Sequence, residues 1–167
     1  EQIRLLSAHV STPDATDDHR RQLANALWRS ARLSAAIGDM KTAEAQIRES
    51  TLQFERLVDS NKNDDAFRKD LANANFEAFR IYNSVNFSDE ASRRLESAVH
   101  TIELIHMSAE SPQAWIRLRE TILFHDAMRS KRETRETMMQ NAISNLETLH
   151  EMHPKQTQIA IDIANAR

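Results

Sequence analysis

The chain has 167 residues, 40% of them hydrophobic, with a formal net charge of −3, no Cys, one Gly and three Pro. Average usage would place about a dozen Gly and about eight Pro in this length, so hairpin-rich β architectures are excluded. The missing Cys excludes disulfides, thiolate metal sites and a Cys nucleophile, and the small negative charge argues against nucleic acid as a partner.

In chain order, residues 1–10 read as the end of a helix, with Ile3, Leu5 and Leu6 ahead of a break through Ser11-Thr12-Pro13-Asp14. Asp17 and Asp18 can cap a helix running to about Ile37. Gly38-Asp39 makes a tight turn into a second helix ending near Ser60. Asn61-Lys62-Asn63-Asp64 opens the next helix, to about Asn83. Asn86, tolerant of left-handed geometry, stands where Gly38 stood, and Ser88-Asp89 caps a helix through about Met107. Ser111-Pro112 starts a helix near 112–130, another covers about 133–152, and His153-Pro154 starts the last over 154–167. No apolar run approaches the roughly 20 residues of a membrane helix.

A repeat organises these helices. Leu23-Ala24-Asn25-Ala26, Leu71-Ala72-Asn73-Ala74 and Ile163-Ala164-Asn165-Ala166 mark it, with Leu118-Arg119-Glu120-Thr121 as a degraded member, at spacings of 48, 47 and 45 residues. Each period holds two amphipathic helices; Leu95, Val99, Ile102 and Ile105 form one apolar stripe. The expected units are a partial unit 1–16, repeats 17–63, 64–110 and 111–153, and a partial unit 154–167, all in one domain. Short connections between long helices imply antiparallel pairs, and pairs related by a period of about 47 residues imply an all-α solenoid.

The period alone suits HEAT or armadillo repeats. The residues, however, resemble the tetratricopeptide pattern: Leu27, Ala31, the turn at Gly38, then Ala43, Ile47 and Ser50, with Ala91, Leu95 and Ala98 repeating that spacing after Asn86. Gly38-Asp39-Met40-Lys41-Thr42-Ala43 and Phe67-Arg68-Lys69-Asp70-Leu71-Ala72 are similar to the long-period tetratricopeptide-like arrays beside bacterial serine/threonine kinase domains, over about residues 17–167. Ser34, Asn75 and Met138 depart from that family's usual residues. The resemblance implies a right-handed solenoid that binds, regulates or assembles; no kinase motif is present in the sequence, so any kinase is expected to lie outside it.

It also implies that the first helix of each pair lines a groove. The residues placed there are Asn25, Trp28 and Arg32, then Asn73, Phe76 and Arg80, then Glu120, Leu123 and Ala127, and finally Asn165. An Asn amide offers a donor and an acceptor to an extended peptide backbone. Trp28 and Phe76 would be apolar anchors, and Arg32 and Arg80 would favour an acidic or C-terminal carboxylate ligand. The alternative is that the Asn residues pack between helices and the aromatics belong to the core.

A second constellation is Glu103-x-x-His106 with Glu147-x-x-His150, which would suit a di-metal carboxylate four-helix bundle if two further Glu, such as Glu55 or Glu77, faced them. The two motifs are not repeat-equivalent, and His150 with His153 also reads as surface His at a helix C-terminus. The basic run Arg129-Ser130-Lys131-Arg132 with Arg135 is interleaved with Glu133 and Glu136 and reads as a solvated helix junction.

The resulting expectation is a non-catalytic scaffold or regulatory module for a protein or peptide ligand, with no enzyme activity, cofactor, nucleic acid or membrane, in the cytoplasm. A sensor or dimerisation segment of a larger signalling protein is the alternative. The start Glu1-Gln2-Ile3-Arg4 has neither initiator Met nor a leader pattern, so the chain is expected to be part of something longer. Ile159, Ile161 and Ile163 do not form a polar cap, so the chain is expected either to self-associate through its ends or to depend on flanking chain.

Overall fold

A computed structural model describes residues 2–12, 14–107, 111–129 and 132–152, with residues 132–136, 149 and 152 described by backbone alone. The regular structure of the described residues is all helical, in seven helices: α1 (Gln2–Val10), α2 (Asp17–Ala36), α3 (Met40–Ser60), α4 (Asp65–Ser84), α5 (Ser88–Glu103), α6 (Gln113–Arg129) and α7 (Arg132–Met152). No helix among the described residues is long and apolar enough to cross a membrane. The helix expected over 154–167, and Asn165 with it, lie outside the described residues.

Local chemistry explains the boundaries. α2 starts at Thr16, whose hydroxyl accepts from the His19 backbone N–H, while the His19 side chain accepts from the Thr16 N–H. This is a capping box with His in the place of the usual Glu or Gln. Asp17 and Asp18 occupy the first turn instead of the cap, where their charges meet the positive end of the helix dipole. Asp39 and Asp64 cap α3 and α4 by accepting from the N–H groups of Thr42 (3.1 Å) and Ala66 (2.8 Å). Gly38 has φ 83° and Asn86 φ 61°, so the turns after α2 and α4 both reverse through a left-handed residue.

α5 departs from expectation at both ends. Its N-cap is Phe87, without a side-chain hydrogen bond, so Ser88 is the first helical residue. It stops at Glu103, four residues short of Met107, because the Ile105 N–H bonds back three residues to Ile102 and tightens the last turn. α6 begins after Pro112, whose carbonyl accepts from the N–H groups of Trp115 (2.8 Å) and Ile116 (3.3 Å).

Two compact units result, Glu1–Ile105 and His106–Arg167. In the first, α1 packs on α2, α2 on α3 and α4, α3 on α4, and α4 on α5; in the second, α6 packs on α7. Small residues lie at the α2 and α3 crossing: Ala24, Ala31, Ala43 and Ser50 are fully buried, and Ser50 Oγ donates to the Ala24 carbonyl at 2.8 Å. Ala91 and Ala98 are likewise fully buried on α5. A Cβ or hydroxyl at these positions lets backbones approach where a larger side chain would hold them apart. Phe54 and Leu57 of α3 fill the adjoining core with Ala24, Leu71 and Ala74. A second cluster, Val10 with Leu23 and Leu27, takes in Ile3 and Leu6 and so fastens α1 to α2. Burying a side chain of that size removes about 1.5–3 kcal/mol of unfavourable hydration.

A cationic cleft in the first unit

A cleft of about 630 Å³ opens on the face where α1, α2 and α4 meet. α1 contributes Gln2 and Ile3, and α4 contributes Lys69 and Asp70. Arg21, Asn25, Arg29 and Leu33 of α2 form the wall between them. These four recur every fourth residue, so they form one ridge along the helix. Gln22, Ala26 and Ser30 lie on the same side.

The ridge is held from below. Arg21 Nε donates to Asp70 Oδ2 at 2.6 Å, and its guanidinium lies over the Phe67 ring at 5.7 Å, tying α2 to α4 at two points. Asp70 is 6% exposed and is also paired with the Lys69 ammonium. A buried carboxylate needs such partners, because desolvation of an unpaired charge costs several kcal/mol. Asn25 turns its amide inward: Nδ2 donates to the Arg21 carbonyl at 2.9 Å and Oδ1 accepts from Trp28 Nε1 at 3.0 Å. The indole in turn carries two guanidinium groups, Arg29 at 5.5 Å and Arg32 at 5.9 Å from its centroid.

Among the described residues, three cations therefore line the cleft against one carboxylate. Arg21 and Lys69 share Asp70, whereas Arg29 has only the Trp28 ring and, among the described residues, no acidic partner. Such a surface can bind and orient an anion. Two groups with displaced acidity lie outside it. Burial, followed by the nearby Glu44 charge, raises the Tyr82 phenol, and the hydrogen bonds from Thr42 lower the Asp39 carboxyl.

Among the described residues expected in a groove, only Asn25 lines this cleft. Trp28 is half-buried against the core of Phe54, Leu57 and Leu71. Arg32 is exposed beside it. On α4, Asn73 is half-buried, Phe76 is 4% exposed and stacks on Phe79 at 5.7 Å, and Arg80 pairs with the buried Glu77 at 3.1 Å. In the second unit Glu120 is fully buried and bonded by Arg119 and Asn145, Ala127 is buried, and Leu123 is half-buried. The cleft residues that sequence reasoning missed are Arg21, Arg29, Lys69 and Asp70. For the two on α2 the signal was the four-residue spacing of Arg21, Asn25, Arg29 and Leu33, one strip around the helix from the 25, 28 and 32 strip that was chosen; Lys69 and Asp70 had no such signal.

Of the two E-x-x-H motifs, only the second lies on one helix. Glu103 is the last residue of α5 and His106 lies in the non-helical stretch after it, so the one-face geometry of i, i+3 does not apply. Glu147 and His150 do share α7, both half-buried. Among the described residues no group of three or more His, Asp or Glu side chains could hold a metal ion.

Compared with known proteins, the chain matches no family model, no curated protein and no solved structure.

Proposed function

We propose that the chain is a non-catalytic peptide- or protein-binding module, built of antiparallel helix pairs stacked as a right-handed tetratricopeptide-like solenoid with a period of about 47 residues. Supporting the repeat, the left-handed turn residues Gly38 and Asn86 recur at one period, and small buried residues follow both turns at the same offset, Ala43 and Ala91. The contacts of α2 with α3, α3 with α4 and α2 with α4 are those that successive helix pairs make when stacked. The absence of Cys fits a cytoplasmic setting.

The observation that carries the binding function is the cleft. It is large enough for a ligand, lined by side chains of three helices, and its ridge is braced by the Arg21 to Asp70 bond and the Asn25 to Trp28 bond. Bracing of this kind lowers the entropy lost on binding. Panning a random peptide library on the intact chain and on Ala26→Arg, which inserts a long side chain into the cleft, tests it. Peptides that bind the parent and lose at least tenfold on the variant, with helicity unchanged by circular dichroism, are the expected result. Enriched peptides that bind both proteins equally, or no enrichment at all, would remove the cleft from the account.

A further inference from the structure

The cleft changes character along α2. At the Arg21 end both cations already have an acidic partner, since Asp70 is shared by Arg21 and Lys69. One turn beyond Asn25, Arg29 stands exposed without an acidic partner among the described residues. A turn further, Leu33 is 68% exposed although it is a large aliphatic side chain, and Ile37, one more turn on, is 83% exposed. The ridge thus offers an unmatched guanidinium followed by uncovered apolar surface.

We infer that this cleft takes an extended acidic peptide segment in which an Asp or Glu side chain meets Arg29 and an apolar side chain two positions on covers Leu33. The inference rests on the peptide-binding reading above and names the chemistry of its ligand. Charge selects the acid: among the described residues the only carboxylate lining the cleft is already held by two cations, so an incoming anion meets no free carboxylate of that lining beside Arg29. A guanidinium also binds a carboxylate through two parallel hydrogen bonds, which a Lys could not offer. The Trp28 indole beneath Arg29 and Arg32 limits the rotamer freedom that binding would otherwise remove.

Spacing selects the second residue. Arg29 and Leu33 are one helical turn apart, about 6 Å along α2. In an extended segment side chains two residues apart point the same way at about 6.7 Å, which places an acid over Arg29 and its neighbour but one over Leu33. Volume favours an extended occupant over a helical one. A helix about 10–12 Å across fills about 400–600 Å³ per turn, so a cleft of about 630 Å³ would seat little more than one turn. Recognition runs through a side-chain carboxylate within the segment, so a free C-terminus is not required.

The test uses the intact chain and fluorescent peptides, acetylated and amidated at their ends, that differ at two positions: Glu-Ala-Leu, Lys-Ala-Leu, Gln-Ala-Leu and Glu-Ala-Ser within a Gly-Ser background. Anisotropy titration at low and physiological salt is expected to rank Glu-Ala-Leu first. Lys-Ala-Leu should bind at least tenfold more weakly, and the preference should shrink as salt rises. Arg29→Glu should invert the order of the Glu and Lys peptides, Leu33→Asp should cancel the advantage of Leu over Ser, and Arg93→Glu on α5 should change neither. Both cleft substitutions lie at exposed positions, so retained helicity separates lost binding from lost fold. If library panning yields peptides excluded by Ala26→Arg but without an acid two residues before an apolar side chain, and Glu-Ala-Leu binds no better than Gln-Ala-Leu, this inference is overturned while the cleft reading stands. If no peptide depends on the cleft, both fall.

Discussion

α2 and α4 begin from the same material and end in different environments. Both are 20 residues long, both carry Leu-Ala-Asn-Ala in the seventh to tenth positions, and both follow an oxygen-bearing N-cap, Thr16 or Asp64. Yet α2 buries four residues, Leu23, Ala24, Leu27 and Ala31, whereas α4 buries eleven, including Asp70, Asn75 and Glu77. The difference lies in what surrounds each helix. α4 is enclosed and must satisfy its own polar groups: Asn75 donates to the Leu71 carbonyl and accepts from Arg94, and Asp70 holds Arg21 and Lys69. α2 keeps one face open, and the side chains of that face are the cleft. A repeated motif therefore specifies a packing position without specifying a function, because the function depends on whether the opposite face is covered.

The equivalent aromatics test this difference most severely. Phe76→Ala, at a nearly closed site, is expected to cost about 3–5 kcal/mol. Trp28→Ala, at a half-exposed site, should cost about half as much despite the larger ring. Urea unfolding followed by circular dichroism reads both values, and equal losses would mean that α2 is as enclosed as α4.

The link between the helices comes next. Asp70→Ala removes the carboxylate shared by Arg21 and Lys69, and because Arg21 is 38% exposed its unpaired charge can turn to water. The expected loss is about 1–2 kcal/mol, below the 3–5 kcal/mol typical of a fully buried pair. A loss near zero would show that the pair adds nothing beyond what water supplies.

The two turns give a smaller effect. A Cβ at Gly38 meets nothing within 4 Å, so Gly38→Ala is penalised only by its positive φ, about 1 kcal/mol. Asn86→Gly should change stability by no more than about 0.5 kcal/mol, since relief of the left-handed strain offsets the added freedom of the unfolded chain. A larger effect at Asn86 than at Gly38 would contradict the equivalence of the two turns.

The smallest effect is the pH response of the α3 cap. The hydrogen bonds from Thr42 stabilise the Asp39 carboxylate and lower its pKa below 3.8, while the slight desolvation opposes them. A group lowered in the folded state contributes stability above its unfolded pKa and loses it as pH falls through the folded value. The cap should therefore hold through neutral and mildly acidic solution and weaken only below pH 3.8. A carboxyl-detected NMR titration of Asp39, followed with the Thr42 amide, should show both shifts moving together there.

Helix positions were legible because their signals are local. The left-handed turn at Asn86, the turn at Gly38-Asp39 and the end of α3 at Ser60 follow from residues within a few positions of each boundary. The errors are local too. Thr16 outcompetes Asp17 as the cap because His19 returns its bond, and α5 ends early because a three-residue hydrogen bond replaces the four-residue one. The site was less legible. Asn25 and Asn73 occupy the same place in the motif, but only Asn25 lines the cleft, and its amide is spent on Arg21 and Trp28.

By itself the sequence determined that the described residues are mostly helical and where most helices begin and end, because propensity, capping and apolar period act over one or two turns. Tertiary structure alone decided which face of α2 stays open. It brought Arg21 of α2 to Asp70 of α4, 49 residues away, so that Arg21 and Lys69 share one carboxylate while Arg29 has no acidic partner among the described residues. That selection depends on Coulomb attraction and burial between helices, which act through space at a few ångströms and leave no mark in the spacing of residues along the chain.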